Sequence, residues 1–511
     1  MLWRRRKATS PAGTRPDLAR SVAALDAIEQ RFAATPWWEH HRIDRVHRGR
    51  TYSVPAEFPD WHRFRPADVA DLALRSSRPV VAAGLLSMHP DGYVREAAVR
   101  ILAETPEPAA LPFLLVRAAD WVAPVRDQAR AAVRARLTDP AASPADLLRT
   151  LPVLERMSAD AARSNTFASE TLDRLRAGLA TPDLVAGLHH ETHQVRRCSA
   201  RALVARDDVT IEILATALAQ HDTVTATTLA SAALRNDDAG DPDDPGEAGV
   251  LGFGEVVAAL WGSRIGSLRA EALHRAQAGH APLARSMSEE GLVDRSPGVR
   301  FLAQRWLVGQ GVDVRGRYEA ALPRHVIALH GLAEVAGPGE QEEVAALVAT
   351  YLGDERPRAR AFAVQAIGVL RGAAAQPVML AAFDDPSPAV VRAAGQVLAG
   401  QGLGADTLDV LWDRVVATGR EDVRRAAFRA FVGQGRWPRL VLACRALVAA
   451  DEDLHPWGER LLAGARAGWN SSSSLPTPAQ IEELDRLVPT VADRRPPADA
   501  RDLLDLLDRS R

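Results

Sequence analysis

One short pattern recurs along most of this chain: Val-Arg, two residues, a small residue, three residues, then an apolar one. It reads Val94-Arg95 with Ala98 and Leu102, then Val125-Arg126 with Ala129 and Val133. It returns as Val195-Arg196 with Ser199 and Leu203, and as Val299-Arg300 with Ala303 and Leu307. Val391-Arg392 with Gly395 and Ala399, and Val423-Arg424 with Ala427 and Phe431, complete the series. Looser copies start at Leu268-Arg269 and Ala359-Arg360. Neighbouring copies often lie 31 or 32 residues apart. A fixed period of that length marks a stack of helical units, each of which touches only its neighbours.

Each unit reads as helix, turn, helix. The first has helix A at 79–88, a turn at 89–93 and helix B at 94–104. Positions 0, +4 and +8 of the pattern return to one face at 100° per residue, so they form the apolar contact of helix B. The small residue at +4 lets the partner helix approach. An acid stands five or six residues before the Val-Arg at Asp120, Asp294, Asp354 and Asp385. Pro124, Pro297, Pro357 and Pro388 precede helix B, where a missing N–H removes no helical hydrogen bond. The arginine at +1 sits beside the buried face, in reach of the acid of its own or the neighbouring turn. Arg95, Arg126, Arg196, Arg300, Arg392 and Arg424, with those four aspartates, are therefore read first as ties between repeats and second as a binding edge. Exposed pairs contribute only about 0–1 kcal/mol each, so the apolar interfaces must supply most of the stability.

The Asp, Pro, Val-Arg and Ala…Leu signature resembles the HEAT-repeat family, in particular its short bacterial type found also in phycobilin lyases. The resemblance covers roughly residues 79–450. It implies an all-α fold, a right-handed α-α superhelix of the HEAT/armadillo-like solenoid class, with about ten units. It says little about activity, since such arrays serve as scaffolds, adaptors, nucleic-acid binders and some enzymes. The family includes a di-iron hydroxylase that uses several His-Glu pairs; here His190-Glu191 is the one such pair.

The departures from the pattern set the domain plan. Residues 1–15 read as a basic disordered tail and 16–78 as an N-terminal helical cap rich in Trp, His and Arg. Repeats fill 79–235 and 248–469, separated by the acidic loop 236–247. A Ser-rich linker and C-terminal helices occupy 470–511, with a capping box at Thr477 and Gln480. Three stretches, 138–190, 204–265 and 312–335, lack a clean signature. The segment 36–66 has two readings. It covers the apolar end of the first repeat, as solenoid ends require, or it is an interaction surface made by Trp37, Trp38, Arg42, Arg45, Arg48, Trp61 and Arg63.

Composition narrows the chemistry. A net charge of −2 over 511 residues gives no global attraction for nucleic acid or an anionic membrane. Lys7 is the only lysine, so arginine carries nearly all positive charge. Cys198 and Cys444 form neither a disulfide framework nor a zinc set, which fits a reducing compartment. No secretory h-region and no membrane span are expected, and the cytoplasm is the expected location. His189 and His193 are the one weak metal candidate: four apart, without a third ligand nearby in sequence. No cofactor is expected. The leading expectation is a non-enzymatic scaffold that binds another protein through its concave face and cap. The alternatives are a nucleic-acid binder, which requires arginines without balancing acids on that face, and a lyase-like or metal-dependent enzyme.

Overall fold

The computed structural model describes residues 63–76, 79–139, 141–159, 166–220, 222–237, 252–467 and 475–493. Trp37, Trp38, Arg42, Arg45, Arg48 and Trp61 lie outside the described residues. So do the tail, most of the acidic stretch and residues 494–511 of the C-terminal helices expected within 470–511. Arg63 is described, exposed, just before the helix Pro66–Arg75.

All regular structure among the described residues is helical, and the chain divides into two compact units, 1–268 and 269–511. In the first unit, paired helices follow one another: Pro79–Leu86 with Gly92–Glu104, Leu111–Arg117 with Ala123–Leu137, Thr181–Leu188 with His193–Ala205, and Ile211–Ala219 with Thr223–Asp237. The helix Pro66–Arg75 packs at the start of this series, on Gly92–Glu104. Helices Pro144–Ser158 and Thr166–Gly178 fill the stretch without a clean signature. The acidic stretch 236–247 falls inside this unit rather than between units. Its first two residues finish the helix Thr223–Asp237, and the helix Phe253–Trp261 beyond it packs back on Ile211–Ala219 and Thr223–Asp237.

The second unit pairs Ala281–Gly291 with Pro297–Gly309, Val314–Ala321 with Ala328–Val335, and Gln341–Ala349 with Pro357–Arg371. Gln376–Ala382 with Pro388–Ala399, Ala405–Ala417 with Glu421–Val432, and Arg436–Val448 with His455–Ala467 follow. Pro478–Asp493 packs on Arg436–Val448, its first turn closed by the reciprocal bonds of Thr477 and Gln480. The second helix of one pair stacks on the second helix of the next, as Pro357–Arg371, Pro388–Ala399 and Glu421–Val432 do.

The pattern positions explain this stacking. Val94, Ala98 and Leu102 are fully buried, as are Val299, Ala303 and Leu307. Burying one such valine or leucine contributes roughly 1.5–3 kcal/mol, several times an exposed ion pair. Prolines 297, 357 and 388 each occupy a first-turn position. One apolar stretch, 357–382, has the length and composition of a membrane span, against the expectation that none occurs. It is broken at Gly372, whose φ of 53° lies in the left-handed region, and its halves pack as separate repeat helices.

Candidate interaction surface

The turn between paired helices repeats one device. A side-chain acceptor takes the backbone N–H two residues on: Asp120 from Val122 at 3.0 Å, Asp294 from Ser296 at 2.6 Å, Asp354 from Arg356 at 2.8 Å and Asp385 from Ser387 at 2.7 Å. Other residues fill the same position. His89 and His190 accept through Nδ1, Ser263 and Thr418 through their hydroxyls. Asp, Ser and Thr close turns in this way.

The arginine six residues beyond this turn residue joins repeats. Arg95 Nη1 donates to the His89 and Pro90 carbonyls at 2.9 Å each, in its own turn. Its Nε and Nη2 form a fork on Asp120, both at 3.0 Å, in the next turn, 25 residues on. Arg269 grips Asp294, and Arg360 grips Asp385, with the same fork at the same separation. Arg196 approaches Asp222 at 3.3 Å, and Arg424 meets Asp451 at 2.6 Å. Planar bidentate pairing fixes geometry in a way a lysine ammonium does not. At Asp120 the pair is buried, and Arg117 adds a second cation at 2.9 Å. Burial raises the Asp120 pKa, but the Arg95 bonds, the Arg117 charge and the Val122 N–H together hold it below the usual carboxylate range.

Three pattern arginines stand apart from this ladder. Arg126 pairs with its neighbour Asp127, because Leu151 stands 25 residues on. Arg300 turns to Glu334 on the helix Ala328–Val335, where Gln304 also donates, at 2.9 Å. Arg392 is exposed, with no partner among the described residues. Its repeat is in a different register: counted from the turn residue, Arg360 is sixth after Asp354, while Val391 is sixth after Asp385. Val390 and Val391 are both buried, which turns Arg392 outward. Asp354 likewise binds Arg356 of its own turn rather than a preceding repeat, and its carboxyl falls to about 2.

The other candidates resolve into packing. His189 ends the helix Thr181–Leu188 and its Nδ1 meets Gln220 at 3.0 Å, while His193 meets Gln194 at 3.0 Å. No three metal-ligating side chains converge among the described residues. Where the ladder lapses, Glu155 accepts from Arg176 at 2.7 Å, from Arg201 and from the Cys198 thiol at 3.2 Å. Burial and the Glu155 charge push the Cys198 thiol well up, so it stays protonated and unreactive. Arg201 and Arg176 hold Glu155 ionised despite its burial. A carboxylate so paired is a weakened base. Cys444 is also buried. Trp306 is half-buried rather than core, and Trp121 is exposed, with the Arg95 guanidinium 5.5 Å from its ring centre.

What remains unused lies on the free face of the second helices in the second unit. Counted from the turn residues Asp294, Asp354, Asp385 and Thr418, positions +7, +11 and +14 share one helical face. They are Phe301, Arg305 and Val308; Ala361, Gln365 and Gly368, of which Ala361 is buried and Gly368 packs against Val397; Arg392, Gln396 and Ala399; Arg425, Arg429 and Val432. None is a carboxylate. Gln365 donates to Gln396 at 3.2 Å, which ties the +11 positions of successive helices into one row. Arg358 flanks this row, its guanidinium 5.3 Å from the Phe362 ring centre. Arg305, Arg392 and Arg429 have no hydrogen-bonding or ion-pair partner among the described residues. Glu334, the one acid on the intervening helix Ala328–Val335, is held by Arg300 and Gln304.

The sequence profile of HEAT repeats matches residues 344–431, from the helix Gln341–Ala349 to Glu421–Val432. The same paired-helix and turn grammar runs on either side of that match. Residues 344–431 are HEAT repeats. Among curated proteins none matches it. Two similar solved structures concern Kap95p bound to RanGDP and Kap121p, each 12% identical. The alignments cover 96% of this chain, with 66% of the first chain and 56% of the second, at TM-scores of 0.29 and 0.21.

Most Val-Arg arginines turn inward, whereas Arg392 and, outside the pattern, Arg305, Arg358 and Arg429 face solvent. A period-31 reading of the repeats that scored charge at +7, +11 and +14 would have exposed the missing carboxylates.

Proposed function

We propose that this HEAT-repeat protein is a non-enzymatic scaffold that binds another protein along the free face of the second helices in residues 269–511. One observation carries the reading. Phe301, Val308, Val369 and Val432 are 54–62% exposed, on three of the second helices, in a chain whose recurrent charged motif is largely occupied internally. Apolar side chains interleaved with arginine and amide groups suit a protein interface, where arginine and aromatic residues are favoured. A nucleic-acid reading has less support. Phe362 is already covered by Arg358 and His330, which leaves Phe301 as the open ring of the row, and single-strand binders stack successive bases on several. The buried thiols Cys198 and Cys444 support a reducing, cytoplasmic setting.

The test is capture from a lysate of the source cells by the immobilised full chain. A variant combining Phe301→Ser, Val308→Ser, Val369→Ser and Val432→Ser should fold normally and lose the captured protein. Undiminished capture by that variant overturns the assignment.

A further inference from the structure

We infer that the partner segment is acidic and extended, with carboxylates recurring about every third residue and apolar side chains between them. This rests on the scaffold reading and adds the partner's chemistry. Four arginines stand at or beside the row: Arg305, Arg358, Arg392 and Arg429, each exposed and on a different repeat helix. Among the described residues none of them has a carboxylate partner, and no acid occupies the three face positions of those helices. Arg425, the fifth, keeps Glu421 at 3.0 Å within its own helix. Two of the adjoining first helices carry acids, Glu342 and Glu343 on Gln341–Ala349, and Asp406, Asp409 and Asp413 on Ala405–Ala417.

The spacing sets the partner's form. Packed helices lie about 8–10 Å apart, and an extended chain advances about 3.3 Å per residue. A strand crossing the row therefore meets a new helix roughly every third residue. Three successive helices, Pro357–Arg371, Pro388–Ala399 and Glu421–Val432, each offer a guanidinium at such a crossing, and Arg305 lies beyond the intervening helix Ala328–Val335; apolar side chains stand beside three of the four, Val308 next to Arg305, Phe362 and Val369 with Arg358, and Val432 next to Arg429. Guanidinium–carboxylate bonds are the strong, directional kind. Gln365 and Gln396 satisfy one another and leave the middle of the row uncharged, so the apolar residues of the partner sit there.

The probe is a fluorescent synthetic peptide repeating Glu-Leu-Ser, titrated into the full chain at low and moderate salt. A Lys-Leu-Ser peptide and a single-stranded oligothymidine are run in parallel. The variant combines Arg305→Gln, Arg358→Gln, Arg392→Gln and Arg429→Gln, all exposed, and circular dichroism checks that its fold is intact. The expected result is saturable binding of the acidic peptide, about tenfold weaker or more in the variant and weaker as salt rises. No binding, or equal binding by the variant, overturns the inference. Tighter binding of the oligothymidine than of the acidic peptide overturns it in favour of nucleic acid. A protein captured from lysate that is lost with the apolar variant but kept by the arginine variant leaves the scaffold standing and removes the acidic partner.

Discussion

Arg95 directs its donors into the protein: two carbonyls of its own turn and both oxygens of Asp120 in the next. Such a residue cannot be truncated without leaving a buried carboxylate with one cation fewer. Arg95→Ala should cost about 3 kcal/mol, the usual penalty for breaking a buried pair. Arg392→Ala should change stability by no more than about 0.5 kcal/mol, as at other exposed positions. Urea unfolding of the two variants checks this, and equal losses would show that the register account of Arg392 is wrong. Both arginines follow a valine in the same pattern, so the pattern alone cannot separate them. The separating information is the distance from the turn residue and its proline. At Pro357 the arginine is three residues on, at Pro388 four. Similarly, His190 belongs to the one His-Glu pair of the chain, and its Nδ1 takes the Thr192 N–H as an aspartate does elsewhere.

The helix pair Pro388–Ala399 and Glu421–Val432 depends on absence of a side chain. A Cβ at Gly395 would lie 2.5 Å from the Ala426 carbonyl oxygen and 2.9 Å from its Cα. Backbone cannot yield as a flexible side chain can. Gly395→Ala should therefore destabilise by about 1–3 kcal/mol, although alanine is the better helix former by about 1 kcal/mol. At Gly309, the last residue of Pro297–Gly309, a Cβ meets nothing within 4 Å, and Gly309→Ala should be neutral or stabilising by up to about 1 kcal/mol. Thermal unfolding distinguishes the two, and a stabilised Gly395→Ala would refute the close approach. At this scale the sequence is highly legible: the small residue at +4, the prolines and the period define the helix pairs. Stretches without the signature are less so, because the tie there is a different residue. Glu155 projects from Pro144–Ser158 to Arg201, 46 residues away, and Arg300 reaches 34 residues to Glu334. No fixed spacing announces either contact.

Over the whole molecule, the net charge of −2 conceals where the charges are. Acids and arginines cancel in the ladder, while Arg305, Arg392 and Arg429 stand without acid partners among the described residues on second helices of the second unit. Global charge therefore understated what one face can attract. The ladder also makes both units sensitive to acid. Asp120, Glu155 and Asp222 in the first unit, and Asp294 and Asp385 in the second, all have pKa values below their ordinary range. Burial opposes the shift most at the first four, and bonded or nearby arginines and turn N–H groups overcome it; at Asp385 the Arg360 bond dominates. A carboxylate with a depressed folded-state pKa stabilises above its unfolded value of about 4 and loses that contribution as pH falls through the folded value. His190 and His330 are also lowered, by burial first and by nearby arginines. Their unfolded forms take up a proton near pH 6.5, so stability declines gently from about there downward. Tm should thus be level above about pH 7, sag slightly toward pH 5 and fall steeply below about pH 4. Combining His190→Asn with His330→Gln should remove the sag and leave the steep fall. Calorimetry across this range decides the matter, since a Tm that rises on acidification below pH 6 is incompatible with neutral histidines and ionised ladder carboxylates in the folded state.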